Sequence, residues 1–290
     1  MSIAPPERLT LADGRCLAYA QHGAADGWPL VVLHGLPGSR LQVPRDPAQE
    51  AASGVRLITL DRPGLGRSDH LPGRRFADFP GDLAQLLDHL GVGEFALMGI
   101  SGGGPYAIAC AIAMPERVRR LHLASPMGPL DAPDARRNMC LPIRTVFFTG
   151  RYTPPLLGAA IPPIHWYLRR INRPSDLFTR LFLPPADRHI FAGPTFQEAL
   201  LPDLRESAAV SGRGILQEVR NLVSPWDIDP GAVRVPTTLW HGDADTVVPI
   251  TIARHLAGLI PHCRATWYPA AGHFMIFRML PAVLTLLQPE

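Results

Sequence analysis

Phe95-Ala96-Leu97-Met98-Gly99-Ile100-Ser101-Gly102-Gly103-Gly104-Pro105-Tyr106 decides how the rest of the sequence is read. The apolar run Phe95 to Met98 predicts a buried strand, and the small and apolar residues from Pro105 to Met114 predict a helix. Between them stands Gly99-Ile100-Ser101-Gly102-Gly103, a G-x-S-x-G. A serine on so sharp a strand-to-helix turn is forced into strained backbone geometry. Gly99 and Gly103 relieve the crowding and let strand and helix pack closely. The hydroxyl is then held at the top of a sheet, beside a helix N-terminus that favours negative charge. That is how a weak nucleophile is presented to a carbonyl.

The flanking sequence supplies the sheet. Upstream, Leu9 to Ala12 and Arg15 to Gln21 alternate around Asp13-Gly14 and predict a hairpin. Trp28 to Leu33 and Val55 to Leu60 are continuous apolar runs, suited to strands covered on both faces. A helix is expected within 39–53. Another is expected from Asp78 to Leu90, with Phe79, Leu83, Leu86, Leu87 and Leu90 at helical spacing and Gly91 as its stop. Downstream, Val118 to Ala124 is the next strand. From Ser125-Pro126 to about Asp229 the chain is proline-rich and lacks strand patterns, while Ile143 to Phe148 and Ile164 to Leu168 are helical candidates. A structureless loop of that length is implausible inside a compact domain, so 126–229 is expected to be a helical insertion. Alternation resumes with a strand at Val235 to Trp240, a helix at Ile250 to Ile260, a strand at Arg264 to Tyr268 and a helix at Phe274 to Leu287. Repeated β–α units predict a mostly parallel sheet with helices on both faces.

Composition limits the function classes. The 290 residues are 47% hydrophobic and 18% charged, which fits a globular protein with one large core or a core and a subdomain. The basic residues are all arginine, 28 of them, and the net charge is only +3. Without lysine there is no Schiff-base or Ser-Lys chemistry. The arginine pairs are scattered, so no nucleic-acid stripe is expected. No apolar run is long enough to span a bilayer, and Met1 to Arg8 has no segment of signal-peptide type, so a cytoplasmic protein is expected. Cys16, Cys110, Cys140 and Cys263 lie far apart and suggest neither a disulfide framework nor a metal site.

Polar clusters fall where the predicted strands end, the ends at which open parallel sheets bind ligands. These are His34 to Gly38, Asp61 to Ser68, Ser101, His241 to Pro249, and Ala271 to Phe274. A serine hydroxyl needs a base, and histidine titrates near neutrality. The second ring nitrogen of that histidine needs a carboxylate to fix its tautomer. Ser101, Asp245 and His273 supply these parts. A tetrahedral oxyanion also needs backbone N–H donors. Gly102 offers one. Leu36 offers another, because Pro37 has no N–H and Gly35 lies further back.

With these motifs in place, the chain resembles the α/β-hydrolase fold family. The resemblance rests on His34-Gly35, Asp61-Arg62-Pro63-Gly64-Leu65-Gly66-Arg67-Ser68, the elbow at Gly99 to Gly103, Gly242-Asp243-Ala244-Asp245-Thr246-Val247-Val248-Pro249, and Gly272-His273, in the order Ser, Asp, His. It implies an eight-stranded, mostly parallel sheet formed by residues 1–125 and 230–290, with 126–229 as a helical cap over the site. It also implies Ser101 as nucleophile, Asp245 as acid, His273 as base, and His34 and Gly35 as supports of the oxyanion loop. Asp243 is the rival to Asp245, and family spacing favours Asp245. Asp61 and Arg62 read as a buried polar pair beneath the site.

Serine at the elbow, where related dehalogenases and epoxide hydrolases carry aspartate, predicts attack on a carbonyl. The expected reaction is hydrolysis of an ester, lactone or thioester through an acyl-enzyme, with a small-molecule substrate and no metal or organic cofactor. Val146, Phe147, Leu156, Leu157, Trp166 and Tyr167 suggest an apolar substrate group. Carbon–carbon or amide hydrolysis and cofactor-free perhydrolysis are alternatives on the same three residues. A small-molecule receptor with an intact site is the alternative outside enzymology.

Overall fold

A computed structural model of the chain describes residues 5–43, 52–131, 134–171, 185–193, 198 and 200–277. Eight strands form one sheet. They are β1 (Glu7–Thr10), β2 (Cys16–Gly23), β3 (Trp28–Leu33), β4 (Val55–Leu60), β5 (Phe95–Ile100), β6 (Val118–Ala124), β7 (Thr237–Gly242) and β8 (Cys263–Tyr268), in the order β1-β2-β4-β3-β5-β6-β7-β8. β2 pairs antiparallel with both β1 and β4, and every other pairing is parallel. The β1–β2 turn runs through Gly14 at φ +85°. Arg15 anchors it by a bidentate bond to Asp82, with N···O distances of 2.8 and 2.6 Å.

Burial alternates along the central strands. Val31, Leu33, Leu97 and Phe95 join one apolar cluster, and Leu30, Val32, Ala96 and Met98 join the other. Both faces are therefore dry, which is why these strands read as unbroken apolar runs. The first face carries α1 (Phe79–His89) and α2 (Gly104–Ala113), packed on each other, and the buried side of α8 (Ile250–Leu259). Leu83, Leu86 and Leu87 of α1 are fully buried, each removing about 1.5–3 kcal/mol of apolar surface energy from water. Val43, Ile190, Phe191 and Ile276 belong to the second face.

Between β6 and β7 the described residues form helices and no strand. These are α3 (Leu141–Tyr152), α4 (Pro154–Arg170), α5 (Arg188–Ala192), α6 (Leu201–Ser207) and α7 (Arg213–Val223). α4 continues through Pro162 and Pro163, because Leu157, Ile161 and Leu168 are buried along one side of it. The strand expected at 235–240 begins at Thr237, since Pro236 has no N–H for the ladder. The helices expected within 39–53 and from Phe274 to Leu287 fall largely outside the described residues.

The strand order reverses at β3. From β3 the chain steps outward to β4, then crosses back past β3 to β5. A ligand crevice is expected at such a switch point. The loop after β3 and the turn after β5, which carry His34 and Ser101, open onto it.

Candidate active site

Ser101 leaves β5 at φ +50°, in the left-handed region, and starts a one-turn 3-10 helix (Ser101–Gly103) that feeds α2. A non-glycine residue there costs about 1–3 kcal/mol and persists only when its surroundings hold it. They do so here at close range. A Cβ on Gly99 would stand 2.8 Å from Ala107 Cβ, and one on Gly103 would overlap the carbonyls of Leu33 and His34. Gly99 thus serves the strand–helix contact, while Gly103 lets the turn press on the end of β3. The Ser101 carbonyl accepts from Met127 N at 2.9 Å.

His273 follows β8 and opens another 3-10 turn (His273–Met275). Its Nε2 lies 3.0 Å from Ser101 Oγ, and its Nδ1 lies 2.7 Å from Asp245 Oδ2. All three side chains are less than a tenth exposed. Asp245 is fixed by its other oxygen, which accepts from the amides of Val247 (2.8 Å) and Val248 (2.9 Å). With Nδ1–H donating to the carboxylate, Nε2 is free to accept the serine proton. Burial alone would lower the His273 pKa. The charge and hydrogen bond of Asp245, helped by Asp187, overcome that and raise it above the ordinary histidine value.

The neighbouring candidates stand elsewhere. Asp243 is exposed and accepts from Ala270 N at 2.7 Å. His241 lies 3.4 Å from Asp245, but its Nε2 sits 2.9 Å from the Val248 carbonyl, and burial lowers its pKa, so it is a neutral neighbour. His34 Nδ1 contacts the Gly35 carbonyl at 2.8 Å, and its Nε2 accepts from Arg62 N at 3.2 Å. Burial and Arg62 hold His34 well below the ordinary histidine pKa. Gly35 presses on the serine: a Cβ there would stand 3.2 Å from Ser101 Cβ. A Cβ on Gly102 would lie 3.4 Å from Leu36 N, so the Leu36 and Gly102 backbones adjoin beside Ser101.

Asp61 and Arg62 do not pair with each other. Asp61 accepts from Arg40, at 2.6 Å from its amide and 2.8 Å from its guanidinium. Arg62 pairs with Glu218 at 3.0 Å and also donates to the carbonyls of His34 and Gly35. Successive residues leaving a strand point to opposite sides, so each finds a different partner.

The sequence reading missed three buried carboxylates from the β6–β7 segment. Asp187 accepts from the amides of His273 (2.7 Å) and Phe274 (3.1 Å). Asp203 accepts from Ser39 N (2.6 Å), Ser39 Oγ (2.7 Å) and Gln42 Nε2 (3.1 Å), and Gln42 Oε1 accepts from Gly35 N at 2.5 Å. Glu218 grips Arg62 and Arg74 with no exposure of any of the three charged groups beyond a trace. Arg62 and Arg74 also lie against the Tyr106 ring, at 4.8 and 5.2 Å from its centre. One of the three carried a readable signal. Glu218 falls on the apolar stripe of α7 beside Ile215, Val219 and Leu222, where a carboxylate must have a buried partner.

A family model described as alpha/beta hydrolase fold matches residues 29–147. The sequence is 26% identical to a 2-hydroxymuconate semialdehyde hydrolase of Pseudomonas putida, over 87% of this chain and 83% of that protein. It is 29% identical to a non-heme haloperoxidase of Rhodococcus erythropolis, over 92% of each. The fold superposes on that of a bromoperoxidase from Bacillus anthracis with a TM-score of 0.68 at 21% identity, covering 94% of this chain and 95% of that one. The chain has the α/β-hydrolase fold.

Proposed function

We propose that this α/β-hydrolase-fold protein is a serine hydrolase that cleaves an ester, lactone or thioester through an acyl-enzyme on Ser101. The observation that carries the reading is the continuous hydrogen-bonded line from Ser101 Oγ through His273 to Asp245. Ser101 Oγ attacks the carbonyl carbon while its proton passes to His273 Nε2. Asp245 stays ionised and stabilises the imidazolium. The amides of Leu36 and Gly102 face the developing oxyanion. Collapse breaks the bond to the alcohol or thiol, which leaves with the proton from His273. Water, deprotonated by the same nitrogen, then attacks the acyl carbon and releases the acid and Ser101.

Residues 126–229 act as a lid on a core formed by 1–125 and 230–290. The segment's own carboxylates reach loops that carry His34 and His273, as a lid over the site requires. Apolar groups flank the reacting atoms: Leu36 beside Gly102, and Phe274 packed edge-on against Phe191 at 4.9 Å. They favour an apolar acyl or alcohol group. Leu156 and Trp166, anticipated from sequence as apolar site material, are more than half exposed and do not serve that role. The chemistry needs no metal or organic cofactor, and the substrate is a small carbonyl compound.

A fluorophosphonate probe tests both the nucleophile and its acid. The expected adduct is on Ser101, formed at a rate that falls by orders of magnitude in Asp245→Asn, where the imidazole takes the wrong tautomer. Asp243→Asn is expected to label normally. An adduct elsewhere, or the reverse ranking of the two aspartate variants, would remove the assignment. A panel of p-nitrophenyl esters of rising acyl length beside lactones and amides then fixes the substrate class.

A further inference from the structure

The outward side of α3 and α4 carries Leu141, Phe148, Tyr152, Leu156 and Trp166, each more than half exposed. On α3 the first three are seven and four residues apart and share one face. Large apolar side chains grouped in this way on a surface mark a contact site. Between them, also exposed, are Arg144 and Arg151, with Arg169 and Arg170 at the end of α4. The Arg170 guanidinium lies over the Trp166 ring at 4.8 Å. From Ala135 to Ile171 the sequence has six arginines and no aspartate or glutamate. Acids on the helices packed behind are turned inward: Asp203 on Ser39 and Gln42, Glu206 on Arg40 and Arg67, Glu218 on Arg62 and Arg74. Charge is therefore segregated, with carboxylates holding the core and guanidiniums facing out among aromatic rings.

We propose that this face docks on an anionic lipid surface, so that the protein binds membranes peripherally. Among the described residues no helix is long and apolar enough to cross a membrane, and none is needed. Guanidiniums pair with lipid phosphates, their methylene stems lie along apolar surface, and Trp, Tyr, Phe and Leu enter the boundary between headgroups and chains. A second copy of the chain fits this face poorly. Two-fold self-association would set the same arginines against each other with no acid between them.

The test is co-sedimentation of the full chain with vesicles of phosphatidylcholine alone or mixed with phosphatidylglycerol. Binding is expected only with phosphatidylglycerol, and is expected to vanish near ~1 M salt, where charges are screened beyond ~3 Å. Each arginine removed should weaken it roughly fivefold, so Arg144→Gln with Arg151→Gln should weaken it about 25-fold. Trp166→Ser should weaken it further, and Ser101→Ala should bind as tightly as the unaltered chain. Equal binding to both vesicle types, no binding to either, or indifference to salt would overturn the proposal without needing any variant to fold. A concentration-dependent dimer that Trp166→Ser disperses would assign the face to a second copy and overturn it as well. None of these readouts involves Ser101 chemistry, so failure here is separable from failure of the hydrolase reading.

Discussion

Ser101 sits at φ +50° because the chain must turn from β5 into α2 within a single residue. The strain belongs to the backbone, not to the hydroxyl. Replacing Ser101 by alanine removes the proposed nucleophile and keeps the strain. Replacing it by glycine removes both, since glycine adopts positive φ without a Cβ clash. Both variants are expected to be inactive, yet Ser101→Gly should be about 1 kcal/mol more stable than Ser101→Ala, a Tm difference of about 2–4 °C in a domain of this size. Equal melting temperatures in a calorimeter would show that the elbow is unstrained. The Ser101–His273 contact has a similar logic. In the proposed reaction His273 takes the serine proton, and Asp245, bonded to its opposite nitrogen, raises the basicity that this step needs.

At the scale of elements, the β6–β7 segment meets the site through carboxylates with opposite titration behaviour. Burial pushes the Asp203 pKa up to about 7, against the three donors from Ser39 and Gln42. The folded protein then holds a proton that the unfolded chain releases near 3.8. That contribution is fully present below the unfolded value and is lost as pH rises through the folded one, a swing of ~4 kcal/mol. Asp203→Asn cannot titrate. Its Tm relative to the unaltered chain is expected to be more favourable at about pH 8 than at about pH 5. A constant offset across that range would mean Asp203 is not the titrating group. The elements themselves were legible in the sequence. The eight strands lie at or within two residues of where apolar runs and the Asp13-Gly14 turn put them, and Ser101, Asp245 and His273 lie within hydrogen-bonding distance in a line. Asp187, Asp203 and the true partners of Asp61 and Arg62 were not legible, because each depends on how a segment without strand pattern folds back over the sheet. Periodicity reports which face of a helix is buried, and says nothing of which distant loop lies beneath it.

For the molecule as a whole, Glu218 joins the β6–β7 segment to the sheet. Burial would raise its pKa, but Arg62 and Arg74 more than offset that and bring it down to about 2. Its contribution is present above the ordinary 4.5 and is lost as pH falls toward the folded value, a swing of ~3 kcal/mol. Glu218→Gln is expected to flatten that acid slope. It should also cost about 3–5 kcal/mol at neutral pH, because two guanidiniums are left buried without an anion. Urea unfolding followed along a pH series measures both effects, and an unchanged slope would remove Glu218 from the account of acid unfolding. Arg62, which Glu218 grips, donates to the carbonyls of His34 and Gly35, and Asp187 tethers the main chain at His273. Lifting the helices away as one rigid flap would release the clamps that hold His273 and the His34–Gly35 loop in place. For the proposed hydrolysis, entry of a reactant would thereby be confined to small local openings that leave those tethers intact, and a wide-open form of the protein would not be chemically competent.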